Sequence, residues 1–233
     1  MSGRSASLPI SETFVSIQGE GKLAGVPSLF VRVSGCNLRC GWCDTPYASW
    51  SPEGAPRTIE SLAEEARASG VRHAVLTGGE PMIFDQVVPL AAALRGEGFH
   101  ITVETAATVF KALPIDLASM SPKLSNSAPA PGDPRDPQGV WRIRHEERRR
   151  RPDVIQQFID QARAGGTDIQ LKFVVAAPAD LAEIEGLLGD LRAWRPDDVL
   201  LMPEGVRPPA PGSTRWIVEE CLRRGWRYCH RLH

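Results

Sequence analysis

Strand-like and helix-like segments alternate along most of the 233 residues, and this alternation constrains the fold more than any other feature. Apolar alternation predicts a strand at 27–35, a short apolar run predicts a buried strand at 73–77, and further strands are predicted at 100–105, near 115–120, at 168–175, within 198–205 and at 226–229. Helical periodicity predicts helices at 58–69, 85–98, 153–165, 180–194 and 213–224, with a further short helix after residue 105. About six strand–helix units with right-handed crossovers predict an α/β fold with a parallel sheet, a partial (β/α)6 barrel, because a closed barrel needs eight units.

One segment interrupts the alternation. Residues 125–152 are rich in Pro, Gly and charge, and their first half is predicted to be a flexible loop. The HEERRRR run that follows has two interpretations: an anion-binding patch, or the start of a solvated helix whose Glu and Arg side chains offset each other. No internal repeat is visible, so we expect residues 1–233 to form one domain.

Composition narrows the possible partners. The formal net charge is −1 and 24% of residues are charged, which gives no general reason to expect nucleic acid or an anionic membrane as a partner. No apolar run approaches the roughly 20 residues that cross a bilayer. The start, MSGRSASLPI, has no apolar signal core, so we expect a cytoplasmic protein with reduced thiols.

Three of the five cysteines fall within CNLRCGWCDT, directly after the first predicted strand: Cys36, Cys40 and Cys43. In a reduced compartment such clusters bind metal more often than they pair. Two interpretations remain open: a zinc site whose fourth ligand is distant, with His73 or His100 as candidates, or an iron–sulfur cluster with one open iron. Cys221 and Cys229 are remote in sequence and are predicted to be packing residues.

A second signal, TGGEP at 77–81, ends the next predicted strand. Its two glycines allow close backbone approach, and the carboxylate of Glu80 can accept hydrogen bonds from an ammonium group. Beside an open iron one strand earlier, this turn suggests that an amino acid chelates the iron while the glycine backbone holds its amine.

The combination resembles the radical S-adenosylmethionine (SAM) superfamily and, within it, the 7-carboxy-7-deazaguanine synthase family, from about residue 12 onward. The matching stretches are SIQGEG (16–21), PSLFVRVSGCNLRCGWCDT (27–45), TGGEP (77–81), ET (104–105), SPKLSNS (121–127), LKFVV (171–175) and LMPEG (201–205). The resemblance implies a radical-SAM partial barrel with a cluster loop after the first strand. It also implies a [4Fe–4S] cluster, SAM on its open iron, Mg2+, an external electron donor and a homodimer.

The implied reaction is a ring contraction in queuosine and 7-deazapurine biosynthesis. A 5′-deoxyadenosyl radical takes a hydrogen from 6-carboxy-5,6,7,8-tetrahydropterin, ammonia is lost, and SAM is regenerated as a cofactor. The implied class is a carbon–nitrogen lyase that makes 7-carboxy-7-deazaguanine, and the protein's task is to orient the reactants and exclude water.

The resemblance also implies roles for individual residues. The cluster ligands are Cys36, Cys40 and Cys43, with Thr45 reaching Mg2+. The substrate residues are Ile17, Gln18, Gly19, Arg32 and Thr77. The SAM residues are Trp42, Asp44, Gly79, Glu80, Glu104, Ser121, Pro122, Lys123, Met202 and Pro203. Each of these residues also has a purely structural interpretation. The two interpretations are clearest for Arg32, because a cation in an apolar strand needs a partner, either a substrate carboxylate or an internal ion pair. Lys172 is a second strand cation, without an assigned role.

Two features depart from the family pattern. Ala107 stands where Gly is common, which would alter the turn beside SAM. The sequence ends at RLH, where relatives usually continue for a short stretch that helps to close the substrate site. We therefore expect either a truncated chain or a more open site, and contacts from His230 or His233 are conjectural.

Two other functions share some of these features. A glycyl-radical-enzyme activase also has a short chain and three close cysteines, but it acts on a protein backbone, whereas SIQGEG and WCDT favour a small anionic substrate. A zinc-binding interaction module would use the Arg-rich run as its contact surface. Iron content separates the module from either enzyme.

Overall fold

The computed structural model describes residues 6–232, which form one nine-stranded sheet with helices packed against it. The strands are β1 (Ser7–Ile17), β2 (Pro27–Val33), β3 (Ala55–Thr58), β4 (His73–Gly78), β5 (His100–Thr105), β6 (Leu117–Met120), β7 (Asp168–Val175), β8 (Val199–Pro203) and β9 (Arg227–Tyr228). The helices are α1 (Pro46–Ser49), α2 (Ile59–Ala68), α3 (Val87–Gly96), α4 (Val140–Arg149), α5 (Pro152–Gly165), α6 (Asp180–Gly189) and α7 (Arg215–Arg224).

The strand order is β3-β1-β2-β4-β5-β6-β7-β8-β9, and every neighbouring pair from β2 to β9 is parallel. The first and last strands of this order do not pair with each other, so the barrel is open. Six strands of ordinary length, β2 and β4 to β8, form its parallel part, which confirms the predicted partial (β/α)6 architecture. The carboxyl ends of these strands meet at one rim, where α/β proteins build their sites.

Two antiparallel strands extend the sheet beyond the prediction. β1 has 11 residues and pairs with β2 on one side and β3 on the other. Phe14 stacks on Phe30 across the β1–β2 pair, with 4.9 Å between ring centroids. Because Ile17 at the end of β1 pairs with Pro27 at the start of β2, the loop that follows β1 lies at the amino-terminal ends of the parallel strands, where its Lys22 meets Asp168 and Asp198.

The hydrophobic core lies between the sheet and the helices that cover its outer face. The parallel strands are buried nearly throughout, as expected when both faces of a sheet are occupied. Phe158 of α5 is among the largest fully buried side chains, and its ring meets Phe110 edge-on at 5.0 Å.

Local signals set most helix ends where the sequence predicts them. Thr58 caps α2, its hydroxyl accepting from the Ser61 N–H at 3.2 Å. α5 and α7 end at Gly166 and Gly225, both in the left-handed conformation that favours glycine there. Two predictions are wrong in detail: no helix follows β5, and α6 ends at Gly189 rather than near residue 194.

Residues 125–139 contain only a 3-10 turn and hydrogen-bonded loops, followed by α4. The carboxylate of Asp136 accepts from the N–H groups of Trp141 and Arg142 at 3.1 and 2.8 Å, which stabilises the first turn of α4. The end of the Arg-rich run is paired with acidic neighbours: Arg149 with Glu146 and Glu183, Arg150 with Asp190, and Arg151 with Asp153. HEERRRR is thus helical as far as Arg149, but it ends α4 and does not start a helix, and Glu183 and Asp190 pair with it from another segment.

Across residues 6–232, no helix is both long enough and apolar enough to span a membrane.

Candidate active site

A cavity of about 290 Å³ opens at the carboxyl ends of the parallel strands. Its walls come from the loop after β2, side chains of β2 and β4 to β8, the segment after β9, and the loop after β1, which reaches it from the amino-terminal side of the sheet. One side presents sulfur, and the others present charged, hydroxyl and apolar groups. The cavity therefore collects the chemistry that the sequence scatters over more than 200 positions.

The sulfur wall is the irregular loop between β2 and α1, residues 34–45, which we call the cluster loop. Cys36, Cys40 and Cys43 all line the cavity. Burial raises the pKa of Cys36 and of Cys40 to about 12, so both are neutral thiols at neutral pH unless a cation is bound beside them. Trp50 holds the loop by donating its indole N–H to the Cys40 carbonyl at 2.9 Å.

The Gly-Gly turn after β4 supports the base of the cluster loop. The N–H groups of Gly79 and Glu80 donate to the carbonyls of Val33 and Gly35 at 3.2 and 2.9 Å. A Cβ added to Gly79 would lie 2.1 Å from the Gly35 oxygen and 2.6 Å from the Ala48 oxygen. The close approach that glycine permits here is therefore to the protein's own main chain, in addition to any ligand in the cavity that Gly79 lines.

Glu80 lies behind the cavity wall and is completely buried. Its carboxylate accepts from the Thr105 hydroxyl at 2.7 Å and from the N–H groups of Ala106 and Met82 at 2.8 and 3.1 Å. Burial raises its pKa, and these three donors offset part of the cost of a buried charge. Glu80 thus fixes the loop after β5, whose residues Thr105 and Ala106 line the cavity.

Glu104, at the end of β5, organises a polar wall. Its two carboxylate oxygens accept from the side-chain amide of Gln18 at 3.0 Å and from the hydroxyl of Thr77 at 2.9 Å. The main-chain N–H and carbonyl of Gln18 bond to Val26 and Gly25. Gln18 therefore presents its side chain, rather than its backbone, to the cavity.

Arg32 makes the internal ion pair, one of the two partners considered for it. Its Nε donates to Glu12 at 2.7 Å, and Glu12 also accepts from the Tyr47 hydroxyl at 2.7 Å. Within residues 6–232, no hydrogen bond is recorded for its two terminal nitrogens, and Arg32 lines the cavity. An internal ion pair orients the guanidinium while its terminal nitrogens remain able to bind a carboxylate.

A buried charge network closes the opposite side. Lys172 of β7 and Arg231 of the C-terminal segment both contact Glu20, the Arg231 Nε at 2.7 Å from Glu20 Oε1. Arg231 also donates to the Gly205 carbonyl at 2.6 Å and lies 3.7 Å from the carboxylate of Asp44 in the cluster loop. The C-terminal segment thereby spans the cavity between the loop after β1 and the cluster loop.

The remaining wall mixes apolar and cationic groups. Trp42 packs on a small core cluster formed by Val174, Leu200, Met202 and Cys229. The Lys123 ammonium lies 5.6 Å from the centroid of the Trp42 ring and donates to the Ser121 hydroxyl at 2.9 Å. Such a wall suits a flat ring beside a polar or anionic chain.

Comparison with known proteins agrees with this geometry. Residues 30–187 match the radical SAM superfamily. The 7-carboxy-7-deazaguanine synthase of Rhodopirellula baltica is 46% identical over 97% of this chain and 85% of its own length. That of Halobacterium salinarum is 44% identical over 99% of this chain and 91% of its own.

The chain belongs to the 7-carboxy-7-deazaguanine synthase family of the radical SAM superfamily. The crystal structure of QueE from Escherichia coli superposes with a TM-score of 0.67 at 25% identity, covering 97% of this chain and 95% of that one. Streptococcus suis SuiB bound to S-adenosylmethionine shares the fold, with a TM-score of 0.52 at 13% identity over 84% of this chain and 48% of that one.

For this synthase-family chain, the structure brings most of the sequence-predicted residues to one cavity. Those that line it are Gln18, Arg32, Cys36, Cys40, Trp42, Cys43, Asp44, Thr45, Thr77, Gly79, Glu104, Ser121, Lys123 and Met202. Five others do not line it: Ile17, Gly19, Glu80, Pro122 and Pro203. The carbonyl of Gly19 instead accepts a hydrogen bond from the Leu232 N–H at 3.1 Å, which connects the loop after β1 to the C-terminal segment.

Three charged residues of the cavity were missed or left without a role: Glu20, Lys172 and Arg231. The signal for Lys172 was a cation in an apolar strand, and the matching acid was already present in SIQGEG. Of the two C-terminal histidines considered, His230 is exposed and His233 lies outside the described residues.

The zinc interpretation with a histidine from β4 or β5 is wrong. His73 and His100 begin these two strands, at the end of the sheet away from the cluster loop. His73 bonds to the hydroxyls of Ser28 and Thr102 at 2.7 and 2.8 Å, and its ring meets that of His100 edge-on at 5.2 Å.

The residues present fit the groups that the family implies. Three thiols on one cavity wall are the soft donors that an iron–sulfur cluster requires, and three ligands leave one iron open. The wall of Trp42, Met202, Ser121 and Lys123 beside them fits an adenosyl group and an amino-acid carboxylate. Thr45 and Asp44 add oxygen donors, the type that Mg2+ prefers.

Proposed function

We propose that the chain is a 7-carboxy-7-deazaguanine synthase, a carbon–nitrogen lyase that contracts the ring of 6-carboxy-5,6,7,8-tetrahydropterin with loss of ammonia. The observation that supports this most is the cavity itself: three thiols face a separate wall of oriented charges within one cavity of about 290 Å³. A small anionic substrate fits a cavity of this size better than the protein backbone on which a glycyl-radical-enzyme activase acts.

The proposed cofactors are a [4Fe–4S] cluster on Cys36, Cys40 and Cys43, SAM, and Mg2+ beside Thr45. When bound, the cluster and SAM supply a 5′-deoxyadenosyl radical that takes a hydrogen from the substrate and returns it, so SAM is not consumed. Trp42 and Met202 would pack on the adenine, and Lys123 with Ser121 would bind the ribose and carboxylate.

The protein's own residues would bind and orient the substrate. The terminal nitrogens of Arg32 would bind the substrate carboxylate, with Glu12 holding the guanidinium in place. Glu104, oriented by Gln18 and Thr77, presents acceptor oxygens to the donor groups of the pterin ring. Reactants held in this way lose little further freedom on reaction, and an error of about 1 Å can cost about 100-fold in rate.

The proposal includes an external one-electron donor, a homodimer and a place in cytoplasmic queuosine and 7-deazapurine biosynthesis. Sedimentation of the purified protein tests the dimer. Comparing chemical reductants with cellular redox proteins as electron sources tests the donor.

The decisive experiment is anaerobic turnover of protein reconstituted with iron and sulfide, supplied with the carboxy-tetrahydropterin, SAM, Mg2+ and a reductant. We expect about four irons per chain, release of ammonia, and many molecules of 7-carboxy-7-deazaguanine per SAM consumed. A colourless protein that binds one zinc, or 5′-deoxyadenosine formed one-to-one with product, contradicts the proposal.

A further inference from the structure

His145 is a completely buried histidine in α4, a helix otherwise dominated by charged residues. Both of its ring nitrogens have partners. The Arg39 N–H of the cluster loop donates to Nδ1 at 3.2 Å, and Nε2 lies 2.9 Å from the Ser127 hydroxyl. The imidazole therefore joins the 125–149 segment to the main chain of the loop that carries the three cysteines.

The hydrogen bonds fix the state of this ring. The single hydroxyl proton of Ser127 is donated to the Leu124 carbonyl at 2.6 Å, so Ser127 accepts from Nε2–H. A main-chain N–H can only donate, so Nδ1 carries no proton. Both ends indicate the same neutral tautomer, and burial agrees by lowering the pKa of His145 to about 4.

The rest of the segment contacts the same stretch of loop. Gly41 donates its N–H to the Ser127 carbonyl at 2.8 Å, and its own carbonyl accepts from Arg135 at 2.8 Å. Arg148 donates to the Asn37 carbonyl at 3.2 Å. Because the cluster loop is irregular, its main-chain groups have no partners in a regular strand or helix, and these bonds satisfy several of them between Cys36 and Cys43.

The side chain of Arg39 adds a further connection. Its guanidinium donates to the carbonyls of Cys36 and Leu38, both at 2.7 Å, and lies 4.0 Å from the ring centroid of Trp141 in α4. Arg39 is 8% exposed, so it belongs to the packing between loop and helix rather than to the solvent. Its backbone meets His145 while its side chain meets Trp141 one turn earlier.

We propose that His145 is a positioning residue for the iron–sulfur site: by accepting the Arg39 N–H, it holds the cluster loop in the conformation that aims its three thiols at one cavity. The inference rests on the proposed function, since it assumes that those thiols bind the cluster. It gives the Pro- and Arg-rich segment a role as the scaffold of the loop. Groups that orient metal ligands without touching the metal typically contribute about 10- to 100-fold to metal retention.

The test compares His145→Phe and His145→Gln with a matched control, His73→Phe. His73 is also a buried histidine bonded through both nitrogens, with its pKa lowered to about 4, but it lies at the far end of the sheet. The first measurement is hydrogen exchange of residues 36–43 in the protein without iron. The second is the rate of iron loss from reconstituted protein to a ferrous chelator.

We expect His145→Phe and His73→Phe both to lower the melting temperature. Only His145→Phe should speed hydrogen exchange in residues 36–43 and raise the rate of iron loss by about 10-fold or more. His145→Gln, whose amide can accept from Arg39 and donate to Ser127, should recover most of both losses. The EPR signal of reduced protein with SAM should shift in the Phe variant and return toward wild type in the Gln variant.

Equal exchange and equal iron loss in His145→Phe and His73→Phe would overturn the inference. If His145→Phe shows no cooperative melting, His145→Gln and the further variant Ser127→Ala, which removes the other partner of the ring, decide the question by the same measurements. If wild-type protein binds no cluster, the proposed function fails, while the exchange measurement still decides whether His145 holds the loop.

Discussion

The ammonium group of Lys172 meets the carboxylate of Glu20 inside the cavity, although 152 positions separate them in sequence. Lys172 and Glu20 are 7% and 10% exposed in their side chains, so both charges are largely removed from water. Removing either charge should therefore destabilise the fold, because a single buried charge without its partner is far less stable than a buried pair. Arg231 extends this pair to the C-terminal segment.

The pair predicts a strong coupling between the two positions. Glu20→Gln should lower the free energy of unfolding by about 3–5 kcal/mol, since Lys172 then stays buried without its acid. The double variant Glu20→Gln, Lys172→Met should lose less than the sum of the two single variants. Urea unfolding of all three measures the coupling, and strictly additive losses would contradict the buried pair.

Acid should destabilise the protein through two histidines well before the buried Glu20 carboxylate is protonated. Burial lowers the pKa of His73 and of His145 to about 4, from an ordinary value near 6.5. Between these values the unfolded chain binds protons that the folded chain does not, so stability falls as the pH drops from about 6.5 to about 4. Each histidine can contribute roughly 3 kcal/mol, at about 1.4 kcal/mol per pKa unit.

Unfolding free energies measured from pH 7 to pH 5 test this histidine effect. His73→Gln and His145→Gln should each flatten the slope, whereas the exposed His230→Gln should leave it unchanged. Lys172 and Arg231 lower the pKa of Glu20 to about 2. Its protonation therefore affects stability only below about pH 4.5, outside the range of this comparison. An unaltered slope in both buried variants would show that neither ring resists protonation.

Ala107 adopts a left-handed conformation, with φ at 54°, in the turn after β5. The turn is therefore built on an alanine in the region that favours glycine, at a cost of about 1–2 kcal/mol. We expect Ala107→Gly to raise the unfolding free energy by about 0.5–1 kcal/mol after the greater freedom of glycine in the unfolded chain is deducted. Ala106→Gly, at the neighbouring position without positive φ, is the control and should destabilise.

Replacing Cys36, Cys40 or Cys43 by Ala should remove iron and turnover together, because thiolates have no neutral substitute as cluster ligands. Cys221→Ala should keep both, since Cys221 lies on the buried face of α7 and does not line the cavity. Cys229→Ala should also keep the iron, although its sulfur accepts from the Gly21 N–H at 3.2 Å. Iron and product measured on all five variants test the assignment, and a dispensable Cys40 contradicts it.

Thr45 should matter for magnesium rather than for iron. A hard cation prefers oxygen ligands, so Thr45→Val is expected to lower both the turnover and its stimulation by Mg2+, with iron content unchanged. Thr45→Ser keeps the oxygen and should behave like wild type. Wild-type turnover and an unchanged Mg2+ response in Thr45→Val would reduce Thr45 to the N-cap of α1.

Local patterns predicted most of the parallel sheet and the position of the thiols. β4 contains a short apolar run, and apolar residues alternate with polar ones in β5 and through most of β7; such signals need no knowledge of distant partners. α4 was harder to predict because VWRIRHEERR has no apolar stripe, and its stability comes from Asp136, Trp141 and ion pairs.

Long-range pairing was beyond the sequence. Neither the Lys172–Glu20 pair nor the Arg39–His145 contact follows from periodicity, because each joins segments whose proximity depends on the whole sheet. The Glu80 carboxylate shows the reverse problem: the motif marked it for a ligand, and the fold directs it into three internal hydrogen bonds. A motif thus gives the location of a residue more reliably than the direction of its side chain.

The contact between Arg39 and His145 joins a main-chain group to a side chain, and this makes the two positions unequal in their freedom to change. Nineteen of the twenty amino acids supply an N–H at position 39, and only proline lacks one. Few side chains at position 145 can both accept and donate while buried. The contact with His145 therefore survives almost any side chain at position 39, so substitutions at the two positions need not covary, and the choice of arginine there depends instead on its guanidinium bonds to the Cys36 and Leu38 carbonyls.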